Sequence, residues 1–407
     1  MTSLPRFIQI STLTTYPASL LNRDDSGLSK RMPFGGHSRT RISSQCLKRH
    51  WRMADGLWSL KNVDPDIAAS VRSRKIFPLL VEQPLIDEGC DRAKTVAVSA
   101  AIQGFLYGKK DGDAETSSKK KAKAAPADIP AEVPLSADRS ELVVLGHREI
   151  EFIKGAVRTI IASSESAADA AGKASAYFKE HKKEFLALKC GAGFDAAMFG
   201  RFMSGDPDAR VNAAVHVAHA FSVHAEESET DYFTAVDDLD PNHGSAHINA
   251  TELTSGIFYG YVVIDVPLLI SNVEGCDPKD WEKADRIAAG RLIKHLLHLI
   301  ATVTPGAKLG STAPYARPWL ILAEAGDEQP RTLADAFYTP VPFSVGDPRT
   351  ETVNRLCAYL EECDRMYGSS ERRWAASMCP QHIPGANAVT LAQMGDQLEQ
   401  AVVKLEL

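Results

Sequence analysis

Two runs of β-branched and aromatic residues bound what this chain can become. Residues 7–15 alternate, and residues 255–266 read SGIFYGYVVIDV, while most of the sequence between them is patterned as helix. Strands this far apart share a sheet only if the chain leaves it and returns. The expected class is therefore α+β, a small sheet carrying large helical insertions. Helical spacing is expected over 64–107, broken at Pro78 and Pro84, and over 147–162, where Ile150, Ile153, Val157 and Ile160 share a face. Further helices are expected over 167–188, 281–303 and 350–367. Residues 194–202 read as extended, and 319–322 as a short strand. Asp206-Pro207-Asp208 reads as a helix start, with the helix running on through Val223.

The length, 407 residues, suits one large domain with insertions or two or three compact ones. With 44% hydrophobic and 24% charged residues, wholesale disorder is excluded. No run of about 18 apolar residues is present, so no membrane span is expected. The first residues show no basic-then-apolar export pattern, and seven cysteines fall without framework spacing. Together these predict reduced thiols and a cytoplasmic location. Residues 109–134 are the exception to globular patterning. Six lysines in 109–123 precede Pro126, Pro130 and Pro134, with little apolar surface to offset ordering entropy, so a mobile loop or linker is expected.

Charge is sorted unevenly. Residues 22–52 hold eight lysines and arginines against Asp24 and Asp25, a net +6 inside a chain of −6, so the other 376 residues carry −12. A short piece that opposes the sign of its whole protein points its cations at an anionic partner. On a strand, Arg39 and Arg41 share a face. Ser43-Ser44 suits a helix N-cap, after which Gln45, Lys48 and Arg52 share one face and Leu47 and Trp51 another. A helix N-terminus set among cations is an anion site, and Gly35-Gly36 ahead of it lets backbone approach a ligand. A linear polyanion, RNA or DNA, fits this order of groups.

These residues also resemble a known family. Leu21-Asn22-Arg23-Asp24-Asp25, Phe34-Gly35-Gly36 and Arg41-Ile42-Ser43-Ser44-Gln45-Cys46-Leu47-Lys48-Arg49 are similar to the signature of the backbone subunit of type I-E CRISPR surveillance complexes, the CasC family of Cascade. Gly200-Arg201-Phe202-Met203 resembles the family's GRM element. Segments 218–224, 231–238, 244–247, 255–259 and 305–308 follow in the family's order, and no distinctive match is seen beyond about residue 325.

The resemblance implies a right-hand-like protein: an RRM- or ferredoxin-like palm sheet, helical fingers and a β-hairpin thumb. Its divisions would be palm over 1–62, fingers over 63–193, palm over 194–225, thumb over 226–255, and palm completion with C-terminal helices over 256–407. The implied partners are guide RNA (crRNA), a target DNA strand paired to that guide, further copies stacked head to tail, and other Cascade subunits; no membrane partner is implied. The implied palm contacts to RNA are Arg23, Lys30, Arg39, Arg41, Ser43, Gln45, Lys48, Arg49 and Arg52. Arg201, Phe202 and Met203 would form a loop beneath the RNA, Phe233 and Thr234 the thumb element, and Lys308 a further basic contact. His37 and Gly260 depart from the pattern, each standing where the family commonly has a cation.

No catalytic residue, metal or cofactor is expected. His216, His219 and His224, and Cys357, Cys363, Cys379 and His382, lack the spacing of a tetrahedral metal set. Residues 306–312 lack the Lys-Ser/Thr pair of a phosphate loop. The competing reading is an endoribonuclease of type III-like character, using Asp25 and a divalent ion to activate water. Against it, Asp24 and Asp25 can hold Arg23 and its neighbours by charge-assisted hydrogen bonds.

Overall fold

The computed structural model describes residues 4–64, 67, 69–107, 133–136, 142–188, 192–201, 210–236, 239, 245–344 and 346–404, with backbone alone at 236 and 245–247. The segment 109–132 of the Lys/Pro-rich stretch lies outside the described residues. The chain forms two compact units, one from 1–63, 215–270 and 279–407, the other from 64–214 and 271–278.

The first unit is built on β1 (Phe7–Ser19). It pairs antiparallel with β9 (Ser245–Asp265) on one side and β10 (Leu320–Gly326) on the other, placing Ile10 opposite Val262 and Ala323. The sheet continues outward from β9 through β7 (Ala220–Ser222) and β3 (His37–Ile42) to an edge strand, β2 (Arg31–Phe34). From β10 it runs through β11 (Arg372–Ser377) to the three-residue β12 (Ala386–Ala388). Strands β6 (Val215–Val217) and β8 (Ser228–Val236) also pair with β9.

Both faces of the central strands are covered, which is why β1 is buried along most of its length. On one face, Ile10, Thr12, Thr14 and Tyr16 meet Leu47 and Trp51 of α1 (Ser44–Met53) and Ile300 of α9 (Ile287–Thr302). On the other, Leu13, Tyr259 and Leu322 pack with Val353, Leu356 and Leu360 of α11 (Pro348–Tyr367). Buried Arg373 ties this half together, its Nε 2.8 Å from Glu324 of β10 and its guanidinium also paired with Asp364 of α11. The short α10 (Leu309–Thr312) and the closing helix α12 (Leu391–Val403), begun by a Thr390/Gln393 capping box, complete the unit.

The second unit is helical: α2 (Gln83–Asp87), α3 (Arg92–Tyr107), α4 (His147–Ala162), α5 (Ala167–Glu180), α6 (Lys182–Ala187) and α7 (Phe194–Phe199), with a two-stranded sheet of β4 (Val71–Ser73) and β5 (Val143–Leu145). α8 (Val266–Glu274) carries the chain out of β9. The expected stripe of α4 is its core face: Ile150, Ile153, Val157 and Ile160 are all buried, against Val98, Ile102 and Phe178 among others. Ala170 and Ala174 keep the buried face of α5 thin, so helices can approach closely there.

Several sequence expectations are corrected. Residues 215–217 and 220–222 are strands, not the end of a helix, because Val215 and Phe221 find open hydrogen-bonding positions on β9. Long-range pairing overrides a local helix-start signal there. Residues 194–199 are helical, not extended. Phe194, Ala196 and Met198 are buried together, and Gly200, at φ +78°, ends the turn. Residues 194–214, expected with the sheet, belong to the helical unit. The helix expected over 281–303 is a 3-10 turn at Pro278–Lys283 followed by α9, and that expected over 167–188 divides at His181. Among the described residues, no helix is long and apolar enough to cross a membrane.

Candidate nucleic-acid interface

The basic segment folds as a hairpin followed by a helix. In the β2–β3 hairpin Phe34 pairs with His37, so Gly35 and Gly36 form the turn, at φ +60° and +76°. A Cβ on Gly35 would lie 1.6 Å from the Tyr338 carbonyl oxygen, so only glycine fits. That close approach is secured by Arg39. Its guanidinium is fully buried and donates to the carbonyls of Phe34, Ser222, Phe337 and Tyr338 at 2.9–3.3 Å. Burial pulls the Arg39 pKa down to about 10, still charged at neutral pH. Arg39, expected to contact RNA, is therefore an internal staple: three of its four acceptors are backbone brought in by segments far away in sequence.

Helix α1 begins as expected. The Ser43 hydroxyl accepts from Cys46 N at 3.3 Å, and Ser43 N donates to Asn22 Oδ1 at 2.9 Å. Ser43 is buried and occupied by this cap, so it too acts as a positioning group rather than a contact. Trp51 is buried and Leu47 half-buried beneath the helix, which turns Gln45 and Arg49 outward and leaves Lys48 and Arg52 half-buried at its sides.

Lys30 and Arg41 come to the same helix end from the preceding loop and strand. The Arg41 guanidinium donates to the Arg31 carbonyl at 3.0 Å and lies 3.3 Å from His219 Nδ1, which also accepts from Ser44 N. Burial first, then the charges of Arg41 and Lys30, hold the His219 pKa below its usual value, so the neutral ring can accept. The Cys46 thiol is raised by burial, against the opposing pull of Lys30 and Arg49. Three cations, Lys30, Arg41 and Arg49, thus gather about the first two turns of a ten-residue helix whose N-terminal dipole has the same sign. Arg23 lies exposed at a bridge to Ser29, in the loop shaped by Asp24, whose Oδ1 accepts from Ser26 N and Leu28 N at 2.9 and 3.0 Å. Asp25 is exposed.

A second group gathers on the β8–β9 hairpin. Phe233, opposite Asn249, is 40% exposed, and the ammonium of Lys308 stands 5.5 Å from its ring centroid while donating to Thr251 Oγ1. Two residues named separately from the sequence, Phe233 and Lys308, therefore form one aromatic–cation pair; Thr234 is exposed beside them. The left-handed backbone of Lys308, at φ +55°, aims it there. The structure also places Arg31 and Glu226, which carried no sequence assignment, at the hairpin's foot. The acidic stretch 226–240, with seven carboxylates and no lysine or arginine, is the signal that could have found this arrangement.

Arg201 departs from expectation. Its guanidinium is buried 2.6 Å from Glu149, whose carboxylate also caps α4 at Gly146 N, 2.8 Å away. Breaking a buried pair of this kind would leave a charge uncompensated, so it holds the end of this segment to the start of α4. Phe202 and Met203 lie outside the described residues. The histidines have other work: His224 is buried, hydrogen-bonded to Ala225 O and Ile257 N, and held below its usual pKa by burial. His216 is on β6. Among the described residues, no group of three or more His, Cys, Asp or Glu side chains is gathered as a metal site would need.

Comparison with known proteins bears on this arrangement. A chain of a solved structure described as "CRISPR RNA-guided surveillance complex, pre-nicking" matches with a TM-score of 0.74 and 26% identity, over 97% of this chain and 100% of that one. Another, described as "CRISPR RNA-guided surveillance complex", gives 0.55 and 21% over 97% and 99%, a likeness of fold alone. No curated protein matches. The family model described as CT1975-like protein matches residues 8–404. With nearly its whole length accounted for in that way, the chain belongs to the CT1975-like protein family.

Proposed function

We propose that this chain is a guide-RNA-binding backbone subunit of a type I-E Cascade complex, lining up with further copies along one crRNA and presenting it to a target DNA strand. The observation that carries the reading is the gathering of Lys30, Arg41 and Arg49 about the N-terminal half of α1, where Arg41 and Ser44 N both meet His219 Nδ1. Such a site grips phosphate and sugar without reading bases, which leaves sequence to Watson–Crick pairing. The likeness to a chain from a CRISPR RNA-guided surveillance complex supports the same reading, and the order of the motifs over residues 21–308 supports the type I-E assignment. In this reading the β8–β9 hairpin is the thumb, and Phe233 presses against the strand and turns a base out of the stack. Head-to-tail copies and the other Cascade subunits would complete the assembly in the cytoplasm.

Co-expression with a CRISPR array and the other subunits, followed by imaging and extraction of bound nucleic acid, is the direct test. RNA of guide length should co-purify. Its retention should weaken steeply with ionic strength, with a log–log slope of about −0.7 for each phosphate neutralised. Protein free of RNA, or a flat salt response, would overturn the proposal.

We further propose a structural rather than a nucleolytic role. The Asp24 carboxylate is taken up by turn amides, which leaves Asp25 as the exposed acid of the pair. Purified complex incubated with complementary target RNA and Mg²⁺ should leave that RNA intact. Regularly spaced cuts that disappear in Asp25→Ala would establish the nuclease instead.

A further inference from the structure

Arg31 of the β2–β3 hairpin faces carboxylates on the strands of the other hairpin and its lead-in. Its Nε pairs with Glu226 and its Nη2 with Glu252 of β9. The same two carboxylates hold the basic segment by other bonds. Glu252 Oε2 accepts from Ser29 N at 2.6 Å, and Glu226 Oε2 accepts from the Ser38 hydroxyl at 2.8 Å. The Glu226 N–H returns a bond to Ser38 O at 2.8 Å. Glu252 is 9% exposed, so its charge is largely withdrawn from water and depends on these partners.

The register explains the mechanical effect. Successive residues of a strand point to opposite faces, so Glu252 turns toward the basic segment while neighbouring Thr251 turns to Lys308. The foot of the β8–β9 hairpin is gripped from both sides. Thr254, opposite Ser228, adds a hydroxyl bond to Ser19 O at 3.1 Å. Phe233 lies along the strand from this grip, so a small change of angle at the foot is magnified at the ring.

We propose that Arg31, with Glu226 and Glu252, is a positioning residue that fixes the angle of the β8–β9 hairpin to the phosphate-gripping segment, and is not itself a phosphate contact. The proposal rests on the guide-RNA reading above: it assigns Arg31 to the spacing between where the strand is gripped and where a base is turned out. A guanidinium suits the task, since its planar fork meets two carboxylates in fixed directions where an ammonium could not.

The test uses the assembled complex with Arg31→Met, Glu252→Gln and the double variant. Three readouts are taken: retained RNA, the salt slope of its release, and chemical probing of base accessibility along the bound guide. Wild-type complex should show sharply reactive bases where the hairpin acts. In Arg31→Met the contrast between reactive and protected bases should fall at least threefold, with retained RNA and salt slope unchanged. Glu252→Gln should do the same, and the double variant should be no worse than either single one. A slope shallower by one phosphate contact, with sharp probing retained, would make Arg31 an RNA contact and overturn the proposal. Lower stability with sharp probing and an unchanged slope would reduce it to a fold contact and overturn it equally. If either variant fails to assemble, Ser38→Ala, which removes a single bond to Glu226, and Arg31→Lys replace them; both should blur the probing pattern partially, and a sharp pattern in both would count against the clamp. Absence of reactive bases in the wild type would instead count against the guide-RNA reading itself.

Discussion

Replacing Lys30 and Arg49 together by glutamate is expected to strip guide RNA from the protein while leaving it folded. Arg49 stands on the second turn of α1 and Lys30 in the loop before β2, and the charges of both are felt at the Cys46 thiol. Arg49 is exposed and Lys30 half-buried, so neither supports the core. Each reversal removes an attraction to phosphate and adds a repulsion beside it. A loss of affinity of roughly hundredfold at physiological salt is expected, with the log–log salt slope shallower by about 1.4 for two contacts at 0.7 each. The matching charge change at Arg365 and Lys404, on α11 and at the end of α12, should alter affinity less than about threefold. Filter binding across a salt series measures all of these. Equal loss in both double variants would mean that net charge, and not this helix end, governs binding.

The second large effect is on stability, and it separates two arginines two residues apart. Arg39→Ala should destabilise the first unit by about 3 kcal/mol, because four carbonyls lose their donor in a site closed to water. Arg39→Lys should recover little, since an ammonium cannot span acceptors on the hairpin turn, β7 and the 337–338 backbone at once. Denaturant unfolding followed by tryptophan fluorescence reads the change. Normal stability with weakened RNA binding in Arg39→Ala would return Arg39 to the surface and contradict the buried staple.

What could be read from the sequence was what is decided within a few residues. Strand β1 and the 255–265 half of β9 announce themselves by composition, α1 by Ser43 and by the Leu47–Trp51 stripe, and α4 by four isoleucine and valine positions at helical spacing. The Phe34-Gly35-Gly36 turn belongs to the same class, because the left-handed backbone is a local demand. What could not be read depends on distant partners. Nothing near Arg39 tells that residues 222, 337 and 338 will close over it, and nothing near Arg201 names Glu149, 52 residues away. The strands at 215–217 and 220–222 are set by β9, and their own sequence argued otherwise. A run of cations can therefore be recognised from sequence, but which of them face inward is a tertiary fact.

The outer strands of the sheet have a consequence for how such molecules associate. β2 is four residues long and includes Pro33, which has no amide hydrogen to offer, and β12 is only three residues long. β8 carries the charged Glu229 and Asp231. The two end strands of the sheet give a second molecule little to continue from. If they queue at all, the ruler has to come from outside, and the number in the queue would be dictated by the length of the strand they share.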